Sequence, residues 1–166
     1  MKIVDATLAN EIMQMANMGQ VMRTKVINGE AKWNDSVDAA NQARLIEIID
    51  SSGWPTIPRV GVEASHAAWL LIQNAPDLKF MEHCLKVMES LPEGEVSLAN
   101  IAYLQDRVLM MNGKPQIYGT QFQGSGKDMH VWLVKDADRI DERRASVGLG
   151  TFAENEARLR ELYKAN

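Results

Sequence analysis

Val62-Glu63-Ala64-Ser65-His66-Ala67-Ala68-Trp69-Leu70-Leu71-Ile72-Gln73-Asn74 has the length of a helix and no Gly or Pro to interrupt it. Its apolar side chains fall on nearly every face, and a helix of that kind belongs in the middle of a protein. The rest of the chain then reads as the elements that cover it. Upstream, a first helix is expected over Thr7 to Ile27, with Leu8, Ile12, Met15, Val21 and Met22 as core positions. Asn28-Gly29 stops it. A second helix starts after Asn34 or Asp35, buries Val37, Ala40, Leu45, Ile48 and Ile49, and closes at Gly53. Gly53-Trp54-Pro55-Thr56-Ile57-Pro58-Arg59-Val60-Gly61 reads as a structured loop.

Downstream, a fourth helix covers Leu78 to Ser90, and a fifth runs from an N-cap at Ser97 to Asn112-Gly113. Gln116 to Phe122 and Met129 to Val134 have the composition of strands, with Gly124-Ser125-Gly126 between them as a hairpin loop. Thr151 and Glu154 form a capping box for a last helix. No internal repeat or linker divides the chain. The expected fold is α+β and mainly α, a single-domain bundle of five to seven helices over residues 1–166 with one β-hairpin.

Composition removes several function classes. Lys plus Arg is 18 against 22 Asp plus Glu, and a net charge of −4 does not suit sequence-independent nucleic-acid binding. One cysteine, Cys84, cannot make an internal disulfide framework. The longest apolar stretch, Ala67 to Ile72, is too short to span a bilayer, so no membrane role is expected. Asp5 interrupts Met1-Lys2-Ile3-Val4 too early for a signal peptide, and a cytoplasmic address is the default. No P-loop, dinucleotide glycine fingerprint or serine-hydrolase elbow is present, and no cofactor is expected.

The informative residues are polar ones in apolar surroundings. On a wheel of the fifth helix, Leu98, Ile101, Ala102 and Leu109 cluster, with Gln105 amid them, Asp106 at the edge and Arg107 opposite. Buried charge needs a partner, so Asp106 and Arg107 either fix the packing or face a pocket. Glu63 and His66 have the i,i+3 spacing of a di-iron half-motif, but such a site needs two. The simpler reading of His66 is a core histidine bonded to a neighbour, and no metal is expected. In Gln116-Ile117-Tyr118-Gly119-Thr120-Gln121, strand alternation puts Gln116, Tyr118 and Thr120 on one face. Gly119 is either a bulge or a place where a ligand or backbone comes close. Arg143-Arg144 follows Asp136, Asp138, Asp141 and Glu142, which suggests an exposed salt-bridged face.

Several of these pieces resemble a bacterial family known only as domain of unknown function sixty-six twenty-four. They run in order from Gly53 to Leu149: Gly53-Trp54-Pro55, Val60-Gly61, Ala67 to Gln73, Ala102-Tyr103-Leu104-Gln105-Asp106-Arg107-Val108, Gln116 to Gln121, Asp141 to Arg144 and Val147-Gly148-Leu149. The resemblance implies a shared fold and a shared polar site, and supplies no reaction. The family pattern has histidine after the glutamine of the third helix, where this chain has Asn74. Asparagine keeps a hydrogen bond there but no proton-transfer role.

The expected site is a polar cleft that gathers Gln73, Asn74, Arg107, Gln116, Tyr118, Gln121, Arg143 and Arg144 as binding residues. Asp106 and His66 are its candidate acid–base groups. Such a cleft suits a metal-independent hydrolase or transferase acting on a small polar molecule or peptide. The alternative is a non-catalytic module that recognises such a ligand, or a protein partner, with the same groups.

Overall fold

A computed structural model of the protein describes residues 4–124 and 126–164. Met1-Lys2-Ile3 at the chain start and Ser125 of the expected hairpin loop lie outside the described residues. The chain divides into two compact units, Met1–Ser97 and Leu98–Asn166. The architecture is mainly helical with a small antiparallel hairpin.

The first unit holds α1 (Ala6–Ile27), α2 (Asp35–Ser52), α3 (Ile57–Val60), α4 (Val62–Gln73) and α5 (Leu78–Glu89). α4 is the expected third helix, and it is central to this unit. It packs against α1, α2, α3 and α5 and buries Ala64, Ala67, Ala68, Trp69, Leu71 and Ile72. α1 lays Leu8, Ile12, Met15, Ala16 and Gly19 towards this core, at helical spacing. Its start is set by Asp5, whose carboxylate accepts the Leu8 N–H at 3.0 Å. Asn34 caps α2 through the Ser36 N–H, and Asp77 caps α5 through the Lys79 N–H. Caps of this kind contribute about 1 kcal/mol each.

Three expectations are corrected in this unit. Val21 is exposed, and so is Ala40. The α2 stripe instead buries Asp38 and Asn41. Burial is tolerated because both side chains have partners on α1. Arg23 donates to both Asp38 oxygens at 2.8 and 2.7 Å, and the Asn41 amide donates to the Met15 carbonyl at 3.3 Å. The 53–61 stretch contains a helical turn, α3, rather than loop alone. Pro58 is compatible with it because a first-turn residue has no intrahelical use for an N–H. His66 is exposed, with its ring 4.8 Å from that of Trp69, so it is not a core histidine.

The second unit holds α6 (Leu98–Met111), β1 (Phe122–Gln123), β2 (His130–Val131), α7 (Ile140–Ser146) and α8 (Phe152–Lys164), with 3₁₀ turns at Gly126–Asp128 and Ala137–Arg139. α6 is the expected fifth helix. It buries Asn100, Ala102, Leu104, Asp106 and Val108, whereas Leu98 is exposed and Gln105 only half-buried. The hairpin pairs Phe122 with Val131 and Gln123 with His130. It is far shorter than the two strands expected: residues 117–120 leave the ladder, and Gln121 keeps only the bond its carbonyl accepts from the Trp132 N–H at 3.0 Å. α7 was not expected as a helix. The capping box of α8 forms reciprocally: the Thr151 N–H donates to the Glu154 carboxylate at 2.9 Å, and the Glu154 N–H to the Thr151 hydroxyl at 3.3 Å.

Candidate functional site

Asp106 explains why 117–121 is not a strand. Its side chain is fully buried on α6, and its carboxylate gathers the donors of that segment. One oxygen accepts the Ile117 N–H at 2.7 Å and shares the Tyr118 N–H at 3.1 Å. The other takes the Tyr118 N–H at 3.1 Å, the Thr120 N–H at 3.0 Å and the Thr120 hydroxyl at 2.9 Å. Bonds to a charged acceptor are about twice as strong as neutral ones. Once these amides are turned onto one carboxylate, they cannot also donate to a neighbouring strand.

Gln116 closes the other side of the segment. Its backbone joins an isolated parallel bridge to Val134, donating to the Leu133 carbonyl at 2.8 Å and accepting from Lys135 at 2.9 Å. Its side chain is fully buried and acts as a surrogate peptide unit. The amide nitrogen donates to the carbonyls of Gln121 and Trp132, each at 3.0 Å, and the amide oxygen accepts the Gln121 N–H at 2.9 Å. The expected alternation therefore fails, because Gln116, Thr120 and Gln121 are all buried.

The two arginines of α7 bind backbone rather than acids. Arg143 donates to the carbonyls of Ile117 at 2.8 Å, Asp136 at 3.0 Å and Lys135 at 2.6 Å. Arg144 is 2% exposed and donates to the carbonyls of Tyr118 at 2.8 Å and Gly150 at 2.6 Å. The exposed salt-bridged face expected for this pair belongs instead to Arg139 and Glu142, 2.8 Å apart. Burial pushes the Arg144 guanidinium down from its ordinary value, and Tyr103, Asp141, Asp106 and Glu154 pull it back up. Gly119 has φ +66°, and a Cβ there would lie 2.6 Å from Ile140 Cδ1 and 2.9 Å from the Phe152 ring. The space at Gly119 is thus filled by the protein's own side chains.

The structure brings Asp106, Gln116, Tyr118, Gln121, Arg143 and Arg144 together around one six-residue loop of the second unit. Arg107 is half-buried on α6 beside Asp106 in the chain. His66, Gln73 and Asn74 belong to the first unit. There Gln73 is buried, and Asn74 ends α4 with its amide donating to the Leu70 carbonyl at 2.9 Å.

Asn74 also lines a crevice that sequence reading missed, together with Gly19, Arg23, Asp38, Asn41 and Leu70. The crevice is packed too tightly to hold a water molecule. A signal for it was present: Asp38 and Asn41 stand at i and i+3 on the same stripe as Leu45 and Ile48. Gly19 makes room there, since a Cβ on it would meet the Arg23 guanidinium at 2.9 Å. Among the described residues, no three His, Cys, Asp or Glu side chains are grouped so as to hold a metal ion. None of the described helices is long and apolar enough to cross a membrane.

Residues 6–165 match the family model described as a family of unknown function, DUF6624. The chain belongs to this family. The DUF6624 match extends beyond the Gly53 to Leu149 pieces at both ends and takes in both units. No curated protein and no solved structure matches the chain. Within this DUF6624 chain, Ala102 to Val108, Gln116 to Gln121 and Asp141 to Arg144 are the stretches that build the clamped loop.

Proposed function

We propose that this DUF6624 protein is a non-catalytic module that binds a small polar ligand or peptide, with the 116–121 loop as its recognition element. One observation carries the reading: around the 116–121 loop, the buried Asp106 carboxylate and the Arg143 and Arg144 guanidiniums are already committed to the loop's own groups. A general base needs a lone pair directed at its substrate. The Asp106 carboxylate already accepts four donors and is 0% exposed. Arg143 binds three carbonyls, which leaves little of its fork for an anionic substrate.

What the clamp leaves on the surface is two half-buried side chains, Ile117 and Tyr118, on a backbone tied through both its N–H and C=O groups. An aromatic side chain on a fixed backbone offers contact area at low entropic cost. The test pairs binding with stability. Wild type is screened by thermal shift against metabolites, short peptides and divalent cations; a ligand at 100 times its Kd adds about 2.7 kcal/mol. Tyr118→Ala is expected to lose the ligand-induced shift, measured against the variant's own melting temperature without ligand. Turnover of any panel compound that disappears in Asp106→Asn at unchanged melting temperature overturns the reading in favour of a hydrolase or transferase.

A further inference from the structure

The first unit leaves an apolar groove of about 540 Å³ open along α1, walled by the 28–34 segment and Val37 of α2. Met18, Val21, Met22 and Val37 line it, with Lys25 and Lys32. Met18 is 62% exposed and Val21 45%, so this face of α1 has no partner within the unit. Methionine-rich walls remould around an inserted side chain at low cost. The α1 side of the groove runs from Asn17 to Lys25, about 12 Å at the helical rise, which matches two turns of a docked helix.

Charge narrows the occupant. The groove contains two exposed lysines and no acid, in a chain of net charge −4. The acids nearest in sequence, Glu30 and Asp35, do not line the groove; they accept from the Asn28 amide and the Trp33 indole N–H. Trp33, adjacent to Lys32, is also held by the Arg23 guanidinium 5.3 Å from its ring centroid, and Arg23 is fixed in turn by Asp38. The wall beside the lysines is therefore braced before any partner arrives, which lowers the cost of binding.

We propose that this groove docks an acidic amphipathic helix of a protein partner. Apolar anchors at i, i+4 and i+7 would enter between α1 and the wall formed by the 28–34 segment and Val37, and flanking carboxylates would meet Lys25 and Lys32. This proposal is independent of the reading of the 116–121 loop.

The probe is a designed helical peptide about four turns long, with leucine anchors and glutamate flanks, compared with its lysine-flanked counterpart. Binding to the full chain is followed by amide chemical shifts and anisotropy. The glutamate peptide is expected to bind about tenfold or more tighter at low salt, with shifts confined to α1, α2 and the 28–34 segment, and the gap to narrow as salt screens the charges. Lys25→Glu with Lys32→Glu alters only exposed positions and is expected to reverse the preference. Val21→Asp is expected to weaken both peptides. Equal affinity for the two peptides, a preference that survives charge reversal, or no binding at about 1 mM overturns the proposal. Binding to phosphatidylglycerol vesicles without binding to the peptide overturns it in favour of a membrane surface. Self-association abolished by the charge reversal overturns it in favour of a second copy.

Discussion

Asp106→Asn is the sharpest test of the clamp, because it keeps shape and removes charge. In the wild type one carboxylate oxygen holds the Ile117 N–H and the other holds the Thr120 N–H and hydroxyl, while the Tyr118 N–H is shared between them. Asparagine has one acceptor oxygen and one NH₂ donor. With the amide nitrogen on the first site, the Ile117 N–H faces a donor. With it on the second, the Thr120 N–H does, although the hydroxyl can rotate to accept. Either arrangement leaves one buried N–H orphaned, at about 1–3 kcal/mol, and weakens the remaining bonds by removing the charge. The sum is about 3–5 kcal/mol, a large share of the 5–15 kcal/mol typical of folded proteins. For 166 residues that corresponds to a melting temperature lower by about 6–20 °C. Calorimetry reads the melting temperature, and hydrogen exchange reads the amides of 117, 118 and 120, which should lose protection together. A shift under about 2 °C with those amides still protected refutes the reasoning.

Gly119→Ala should destabilise by about 1–3 kcal/mol, since the new Cβ meets Ile140 and Phe152 at a residue with positive φ; chemical denaturation checks it, and an unchanged midpoint rejects it. Cys84 is fully buried, and burial pushes its thiol up to about 12 from 9.0. A pKa raised on folding gives stability that is whole below about pH 9 and falls as pH rises towards 12, so alkaline destabilisation should shrink in Cys84→Ala. Labelling of Cys84 by a thiol reagent should occur only at the rate of unfolding. The backbone and side-chain hydrogen bonds of Thr151 hold the Glu154 carboxyl below its ordinary value of 4.5. Its contribution is therefore present above that value and lost as pH falls through the lower, folded one. In Glu154→Gln the start of α8, read by amide exchange, should no longer loosen over that acidic range.

Helices were legible because their signals are local. Asp5, Asn34, Asp77 and Thr151 each act within three residues of themselves, and the α4 stretch declares its burial by composition alone. The 116–121 segment was misread for the opposite reason. Its Tyr, Thr and Ile have strand propensity, but the acceptor that claims its amides is 11 to 14 residues away on another element. Strand propensity describes fit to a pleated surface and carries no information about a distant carboxylate. The arginines mislead similarly. Beside four acids Arg143 and Arg144 look like a solvated face, yet a guanidinium's five donors suit a cluster of carbonyls equally well. Asp38 and Asn41 are hidden in the sequence because their partners, Arg23 and the Met15 carbonyl, are 15 and 26 residues away on α1.

The stretches that carry the likeness to DUF6624 and the stretches that clamp the loop coincide in the second unit. Asp106, Gln116 and the Arg143-Arg144 pair each bind main-chain groups of residues 116–121. Bonds to main chain do not depend on which side chains the loop displays. A clamp built this way holds one backbone shape, with Ile117 and Tyr118 half-buried at its outer side. The polar motif therefore fixes a scaffold, and under the proposed binding role Ile117 and Tyr118 are the side chains that would meet the ligand. If the proposed role holds, exchanging both should change ligand preference with a smaller fall in melting temperature than Asp106→Asn causes.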